Sequence, residues 1–215
     1  MVPSPPAGRR PLGELLIEAS VALAREGGPD ALVLREAARR VGVSHNAAYR
    51  HFASREDLLR AVADQARAEL ASTMRQRLAE VDPADPSLEA AKRRLHLAGM
   101  AYIRFATAQP GLFRTAFTGP GLTAKDVHHP PTAGATASED QLGPFELLQR
   151  QIEQLVEVAR LPPRARRYAS LVAWAAMHGL SMLALDGQLD RLSDRQRNEV
   201  VDRLVRMVEA GLLAG

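Results

Sequence analysis

Residues 34–52 read LREAARRVGVSHNAAYRHF, and this stretch decides the fold. Two short helices must cross here at a steep angle, with almost no linker between them. Ala38 is small enough for close approach at the crossing, and Gly42 can adopt the left-handed conformation that ends the first helix. Val43 packs in the angle between the helices, and Ser44 can cap the second one. The spacing Ala-x3-Gly-Val-Ser is therefore typical of a helix-turn-helix, which we place between Val33 and Arg55.

The second of these helices carries polar and aromatic side chains near its start. His45 and Asn46 come first, and Tyr49 and His51 follow one turn later. A recognition helix presents its first residues to base edges in the major groove. The paired donor and acceptor of asparagine suit adenine, whereas histidine reaches guanine or phosphate. We therefore expect this helix to bind double-stranded DNA.

Basic side chains flank the predicted recognition helix. Residues 54–57, Ser-Arg-Glu-Asp, fit a capping box for the next helix, which places a helix N-terminus beside Arg55 and favours a phosphate there. Arg35 opens the preceding helix and would meet the DNA from the other side. Arg39 and Arg40 are interpreted as solvated surface residues, with contact to DNA as the alternative.

The pattern Val-Ser-x4-Tyr-Arg-His-Phe-x2-Arg-x2-Leu-Leu, residues 43–59, resembles the signature of the TetR family of repressors. In that family a three-helix DNA-binding domain precedes a helical domain for ligand binding and dimerisation. The resemblance is close over residues 12–59 and extends to the rest only in architecture. It implies DNA contacts at Arg35, Ser44, His45, Asn46, Tyr49, His51 and Arg55.

Two positions depart from the family pattern. The family commonly has lysine where Arg55 stands, although arginine still supplies the cation. It often has Thr or Ser where this chain has Val33, which removes one expected hydrogen bond. Phe52, Leu58 and Leu59 are interpreted as core residues.

Composition and charge agree with this interpretation. The 215 residues include no cysteine, which excludes disulfides and thiolate metal sites. Residues 1–55 hold eight Arg against five acids, whereas the rest of the chain is balanced, so the net charge of +3 belongs to the end expected to meet DNA. Residues 1–9 are interpreted as a disordered lead, and the absence of an apolar run of ~18 residues favours a cytoplasmic protein.

Almost every segment has helical periodicity, so we predict an all-α fold. Its two domains are a DNA-binding domain over residues 10–55 and a helical ligand-binding and dimerisation domain over residues 56–215. A long loop is expected from Thr118 to Pro144. Helices are expected at about 10–26, 34–41, 45–52, 54–80, 87–108, 111–117, 145–160, 164–186 and 193–213.

Aromatic side chains suggest where a ligand binds in the second domain. Tyr102, Phe105, Phe113 and Phe117 lie close together in a chain that is only 4% aromatic. Such a cluster can line an apolar pocket, although ordinary core packing explains it equally well.

A second motif, Trp174-x3-His178-Gly179, places an indole and an imidazole on one helix face. It resembles the Trp-x3-His-Gly motif of one C-terminal subtype within the TetR family, in which this helix lines the pocket and contributes to the dimer. A histidine satisfied within the core remains the alternative to ligand contact. Gly179 would allow another helix to approach closely.

The last two helices carry apolar stripes that a monomer need not cover, so we expect a homodimer that brings together two recognition helices for a palindromic site. The alternative is burial of the stripes against the chain's own core. The residues of the stripes are Leu180, Leu183, Leu185, Val200, Leu204, Val208 and Leu212.

The favoured function is a dimeric repressor that a small, apolar effector releases from its operator. The alternatives are a small-molecule binding or sequestering protein with a vestigial DNA-binding domain, and a transcriptional activator of the same fold. Catalysis has no support, because no phosphate loop or nucleophile elbow is present. His128 and His129 lie near Asp126, but adjacent histidines seldom converge on one ion. We predict no cofactor and no metal.

Overall fold

The computed structural model describes residues 10–118 and 141–214, and in these ranges it contains helices and turns but no strand. The predicted all-α fold is confirmed. A 3₁₀ turn, Gly28–Ala31, follows the first helix. The ten described α-helices are α1 Leu12–Gly27, α2 Leu34–Val41, α3 His45–Tyr49, α4 Arg55–Leu78, α5 Leu88–Ala108, α6 Pro110–Thr118, α7 Pro144–Val158, α8 Pro163–Arg166, α9 Ala169–Leu185 and α10 Asp194–Ala214.

The described residues form two compact units. The first unit contains residues 10–66 and 111–118, and the second contains residues 67–110 and 141–214. The sequence predicts a domain boundary at residue 55, whereas the first turns of α4 cluster with the first unit. Leu58 and Leu59 are buried there, as expected of core residues.

Helix α6 belongs to the first unit because its start packs directly against the end of α1. A Cβ added at Gly111 would lie 2.2 Å from the carbonyl oxygen of Ala24 and 3.0 Å from that of Arg25. Only a residue without a side chain permits this approach of two backbones.

Two helix predictions were wrong, because one helix ends earlier than expected and another is divided in two. Helix α3 ends at Tyr49 rather than Phe52, because residues 50–52 form a turn in which the N–H groups of His51 and Phe52 both donate to the carbonyl of Ala48. The predicted helix 164–186 is divided into α8 and α9. Tyr168 lies between them with φ of 60°, a left-handed conformation that cannot continue a right-handed helix.

Helix α5 is the centre of the second unit and packs against α7, α9 and α10. Neighbouring helices approach it closely at Gly99, where a Cβ would lie 2.9 Å from Met177 Cε and 3.0 Å from Val205 Cγ2. By length and composition alone, the stretch 164–185 is long and apolar enough to cross a membrane, and 22% of its most apolar window is buried within the chain. Most of the predicted loop 118–144 lies outside the described residues.

Candidate DNA-binding face and ligand-binding residues

The turn between α2 and α3 has the geometry that its sequence requires. Gly42 is left-handed, with φ of 76° and ψ of 29°. The Val43 N–H donates to the Ala38 carbonyl at 3.0 Å, and the Gly42 N–H donates to the Arg39 carbonyl at 3.2 Å. Ala38 is buried at the helix crossing. The turn therefore redirects the chain immediately after α2.

Serine hydroxyls cap the two helices that follow. Ser44 Oγ accepts the N–H of Ala47 at 3.2 Å at the start of α3. Ser54 Oγ accepts the N–H of Asp57 at 3.0 Å at the start of α4. Both hydroxyls satisfy donors that a helix N-terminus leaves unpaired, so each fixes where its helix begins.

Helix α3 is attached through one side and exposes the other. Ala48 is fully buried, whereas His45 and Asn46 are exposed and Tyr49 is 45% exposed. The His45 ring packs edge-on against the Tyr49 ring, with 4.4 Å between their centroids. The outward side of α3 is thus polar and aromatic, as a helix in a DNA groove requires.

All seven predicted DNA-contact residues are exposed, and their contact with DNA stays a prediction. Arg35 lies in the first turn of α2, and His51 lies near α1, where its Nδ1 is 3.5 Å from the position of a Cβ on Gly13.

Arg55 has a structural role that sequence reasoning missed. Its Nε donates to the carbonyl of Leu32 at 3.0 Å, and its Nη2 donates to the carbonyl of Pro29 at 2.6 Å. These bonds tie the start of α4 to the 3₁₀ turn after α1. No local pattern indicates them, because the partners lie 23 and 26 residues away.

The two other arginines of α2 are paired with carboxylates. Arg39 Nη2 lies 2.7 Å from Glu36 Oε1, and Arg40 Nη2 lies 2.7 Å from Glu26 Oε2. Hydrogen bonds from Arg39 and then Arg40 lower the pKa of Glu36 to about 2. Arg39 and Arg40 therefore lie in a network of ion pairs on the surface.

Three of the predicted ligand-binding residues come together in the second unit. The Tyr102 hydroxyl lies 2.9 Å from His178 Nδ1. Burial raises the pKa of Tyr102, and a hydrogen bond with Trp174 opposes that rise only in part. Tyr102 is therefore a neutral phenol, which can accept from the indole N–H of Trp174 and donate to His178 at the same time.

The Trp174 indole also stacks on His178, with 4.8 Å between centroids and 19° between planes. Phe145 of α7, which sequence reasoning missed, packs edge-on against Trp174 at 6.4 Å. We call Tyr102, Phe145, Trp174 and His178 the aromatic group. Gly179 has no described atom within 4 Å of a Cβ position, so the close approach expected there is not made by the described chain.

The remaining predicted ligand-binding residues are placed differently. Phe105 is buried in α5 of the second unit. Phe113 and Phe117 belong to the first unit, where their rings are 4.9 Å apart. No cluster of three or more potential metal ligands occurs among the residues that the structure describes, and His128 and His129 lie outside them.

Comparison with known families identifies the family to which this arrangement of helices belongs. The family described as bacterial regulatory proteins, tetR family, matches residues 16–62. The tetracyclin repressor-like C-terminal domain matches residues 95–208, which is more than half of the chain. The chain belongs to the TetR family. It is a transcriptional regulator with a helix-turn-helix DNA-binding domain and a ligand-binding domain, as the sequence predicted. The Trp-x3-His-Gly subtype stays a prediction.

Solved structures share the fold over most of their length. A protein of unknown function from Rhodococcus sp. RHA1 is 25% identical, with 99% of this chain and 98% of that chain covered and a TM-score of 0.69. A TetR-family regulator from Shewanella sp. PV-4 is 16% identical, with 91% and 96% covered and a TM-score of 0.58. The Q116A variant of TetR from Acinetobacter baumannii AYE, in complex with minocycline, is 18% identical, with 94% and 98% covered and a TM-score of 0.57. A comparison with curated proteins found no match.

Family membership supports the coarser predictions. TetR regulators bind DNA, and they are generally not enzymes.

Proposed function

We propose that this TetR-family regulator is a homodimeric repressor that binds a palindromic operator through α3 and is released by a small-molecule effector. The observation that carries the proposal is the turn at Gly42, which buries Ala48 and leaves His45, Asn46 and Tyr49 facing outward. In this proposal residues 10–55 are the DNA-binding domain and residues 56–215 are the regulatory and dimerisation domain.

The exposed residues take two roles in the proposed complex. His45 and Asn46, at the start of α3, read base edges. Tyr49 and His51 contact the DNA backbone from the end of α3, and Arg35 does so from the start of α2. Ser44 and Arg55 flank the helix, and each also has a structural bond within the protein.

Selection of bound DNA from a random pool tests base reading. We expect a palindromic site for the wild type, and a relaxed preference at particular bases for Asn46→Ala, since one bidentate contact discriminates by about 1–3 kcal/mol. Asn198→Ala is the matched control, because Asn198 is exposed on α10 of the other unit. An unchanged preference in Asn46→Ala would mean that Asn46 does not read bases.

Exposed apolar surface on α9 and α10 supports the homodimer. Val172 is 65% exposed and Met207 is 63% exposed, and Leu171 and Leu183 are also exposed. A groove of about 480 Å³ runs between the two helices. It is lined mainly by apolar side chains, among them Val172, Ala176, Leu204, Val208 and Leu212. A second copy of the same surface would cover it in a four-helix bundle about a two-fold axis.

Charge introduced into this surface tests the dimer. We expect Val172→Glu combined with Met207→Glu to sediment as a monomer and to lose tight operator binding, because each protomer reads only half of the site. Leu88→Glu is the control, since Leu88 is an exposed apolar residue on α5 outside the groove. A wild type that sediments as a monomer at micromolar concentration would refute the homodimer.

The aromatic group supports effector binding in the second unit, and α4, which contributes residues to both units, is the proposed route to the DNA-binding domain. Trp174 is the only tryptophan of the chain, so its fluorescence reports directly on this site. We expect a compound that quenches Trp174 to saturation to weaken operator binding in a gel-shift titration. A change of less than about twofold in operator affinity would refute release by this effector.

A further inference from the structure

A second cavity lies apart from the aromatic group. It is partly open to solvent and has a volume of about 530 Å³, within the size range of small-molecule sites, and α4, α5 and α7 all contribute to its lining. Its walls combine two glutamines, Gln151 and Gln154, with three arginines and a set of apolar side chains. Tyr102, Trp174 and His178 are not among its lining residues.

The two glutamines leave their carbonyl oxygens without hydrogen bonds. Neither Gln151 Oε1 nor Gln154 Oε1 has a partner among the residues that the structure describes, and Gln151 is only 3% exposed. Gln151 Nε2 donates to the Leu147 carbonyl one turn back at 3.3 Å, which identifies the unpaired atom as the oxygen. Buried acceptors of this kind lower stability unless a donor reaches them. The cavity therefore favours a ligand with an O–H or N–H group.

Arginine side chains also line this cavity. Arg75, Arg94 and Arg150 line it, and none of its described lining residues is acidic. Arg75 Nη1 donates to the Leu142 carbonyl at 3.1 Å, and Arg94 Nη2 donates to the Asp85 carbonyl at 2.9 Å. The main-chain partner of Arg75 orients its side chain without neutralising it, whereas Arg94 also lies near the Asp85 carboxylate and helps to lower its pKa. An anionic ligand is thus favoured, and guanidinium groups bind carboxylates with matched geometry.

We propose that this cavity binds a small organic acid with a carboxylate and a hydrogen-bond donor on an apolar body. The carboxylate meets Arg75 and the donor reaches Gln151 Oε1 or Gln154 Oε1. The apolar body packs against Leu78, Val81 and Pro83. The inference goes beyond the proposed function, because binding here does not require that the ligand release an operator.

Calorimetric titration of the full chain with three matched probes tests the proposal. The probes are 4-hydroxybenzoate, benzoate, which lacks the donor, and 4-hydroxybenzyl alcohol, which lacks the carboxylate. We expect 4-hydroxybenzoate to bind at least about tenfold more tightly than either of the others, because each omission leaves buried groups unpaired. Equal binding of the three probes, or binding of none, overturns the proposal.

Two variants on α7 locate the binding site. Gln151→Met keeps the volume and removes the unpaired oxygen, so we expect the ligand-free protein to melt at the same or a higher temperature and to lose its preference for 4-hydroxybenzoate over benzoate. Gln149→Met, two residues away, should keep that preference, since Gln149 instead donates to Glu153. A preference retained in Gln151→Met overturns the assignment. If that variant fails to fold, Gln154→Met provides the same comparison. Operator binding measured without any probe tests repression separately.

Discussion

Replacement of Gly42 by alanine tests whether backbone conformation sets the angle of the helix-turn-helix. Gly42 has φ of 76° and ψ of 29°, a region that residues with a Cβ rarely adopt. No described atom lies within 4 Å of the position that this Cβ would occupy. Any loss of stability in Gly42→Ala therefore arises from the backbone and not from a steric clash with neighbouring residues.

The size of this loss follows from two opposing effects. A left-handed conformation costs a residue with a Cβ about 1–2 kcal/mol. Alanine also restricts the unfolded chain, which offsets about 0.4–1 kcal/mol. We therefore expect Gly42→Ala to lower the free energy of unfolding by about 1 kcal/mol, and Gly42→Asn by less, since asparagine tolerates this conformation better. If the first unit unfolds on its own, its Tm falls by about 4–8 °C for each kcal/mol.

Calorimetry and urea unfolding measure this loss, and gel shifts measure its effect on operator binding. Gly13→Ala is the matched control in the same unit, because its added Cβ would make an ordinary contact of 3.5 Å with His51 Nδ1. The control is expected to be neutral or slightly stabilising. A Gly42→Ala variant as stable as the wild type, or a Gly42→Asn variant destabilised equally, would refute a backbone origin of the loss.

Three further variants test the packing and the electrostatics. Gly99→Ala places a Cβ 3.0 Å from Val205 Cγ2, so we expect about 1–3 kcal/mol lower stability in urea unfolding, and an unchanged midpoint would contradict this packing. Tyr102→Phe removes the hydroxyl at 2.9 Å from His178 Nδ1, which should cost about 1–2 kcal/mol in the same assay, whereas no loss would show that the bond is not formed. The pKa of Glu36 is lowered from 4.5 to about 2, so its contribution to stability is complete above pH 4.5 and is lost as the pH falls towards 2. The Glu36→Gln variant should therefore lose less stability than the wild type over that pH range. Identical pH profiles of the two proteins would exclude this contribution.

The helix-turn-helix was predictable because its causes are local. Gly42 ends α2 and Ser44 caps α3, and each of these roles depends on neighbours within a few residues. The bonds of Arg55 to Pro29 and Leu32 were not predictable in this way. They join segments that become neighbours only after the chain has folded.

The aromatic residues also show that contacts between segments distant in the sequence are hard to predict. Phe113 and Phe117 lie near Tyr102 in the sequence, yet they belong to the other unit. Phe145 is distant in sequence from its partner Trp174, and their rings nevertheless pack edge-on. Proximity along the chain is therefore a poor guide to a ligand site, whereas the i, i+4 spacing of Trp174 and His178 on one helix predicted their contact correctly.

The positive charge of the N-terminal region illustrates why geometry matters more than composition for DNA binding. Of the eight arginines in residues 1–55, Arg10 pairs with Glu18, Arg39 pairs with Glu36, and Arg40 pairs with both Glu26 and Glu36. Exposed pairs of this kind are weak, but they direct these side chains along the protein surface. The turn at Gly42 and the burial of Ala48 instead determine which side of α3 faces outward. The salt dependence of operator binding should accordingly reflect the few cations that reach phosphate and not the eight that composition counts.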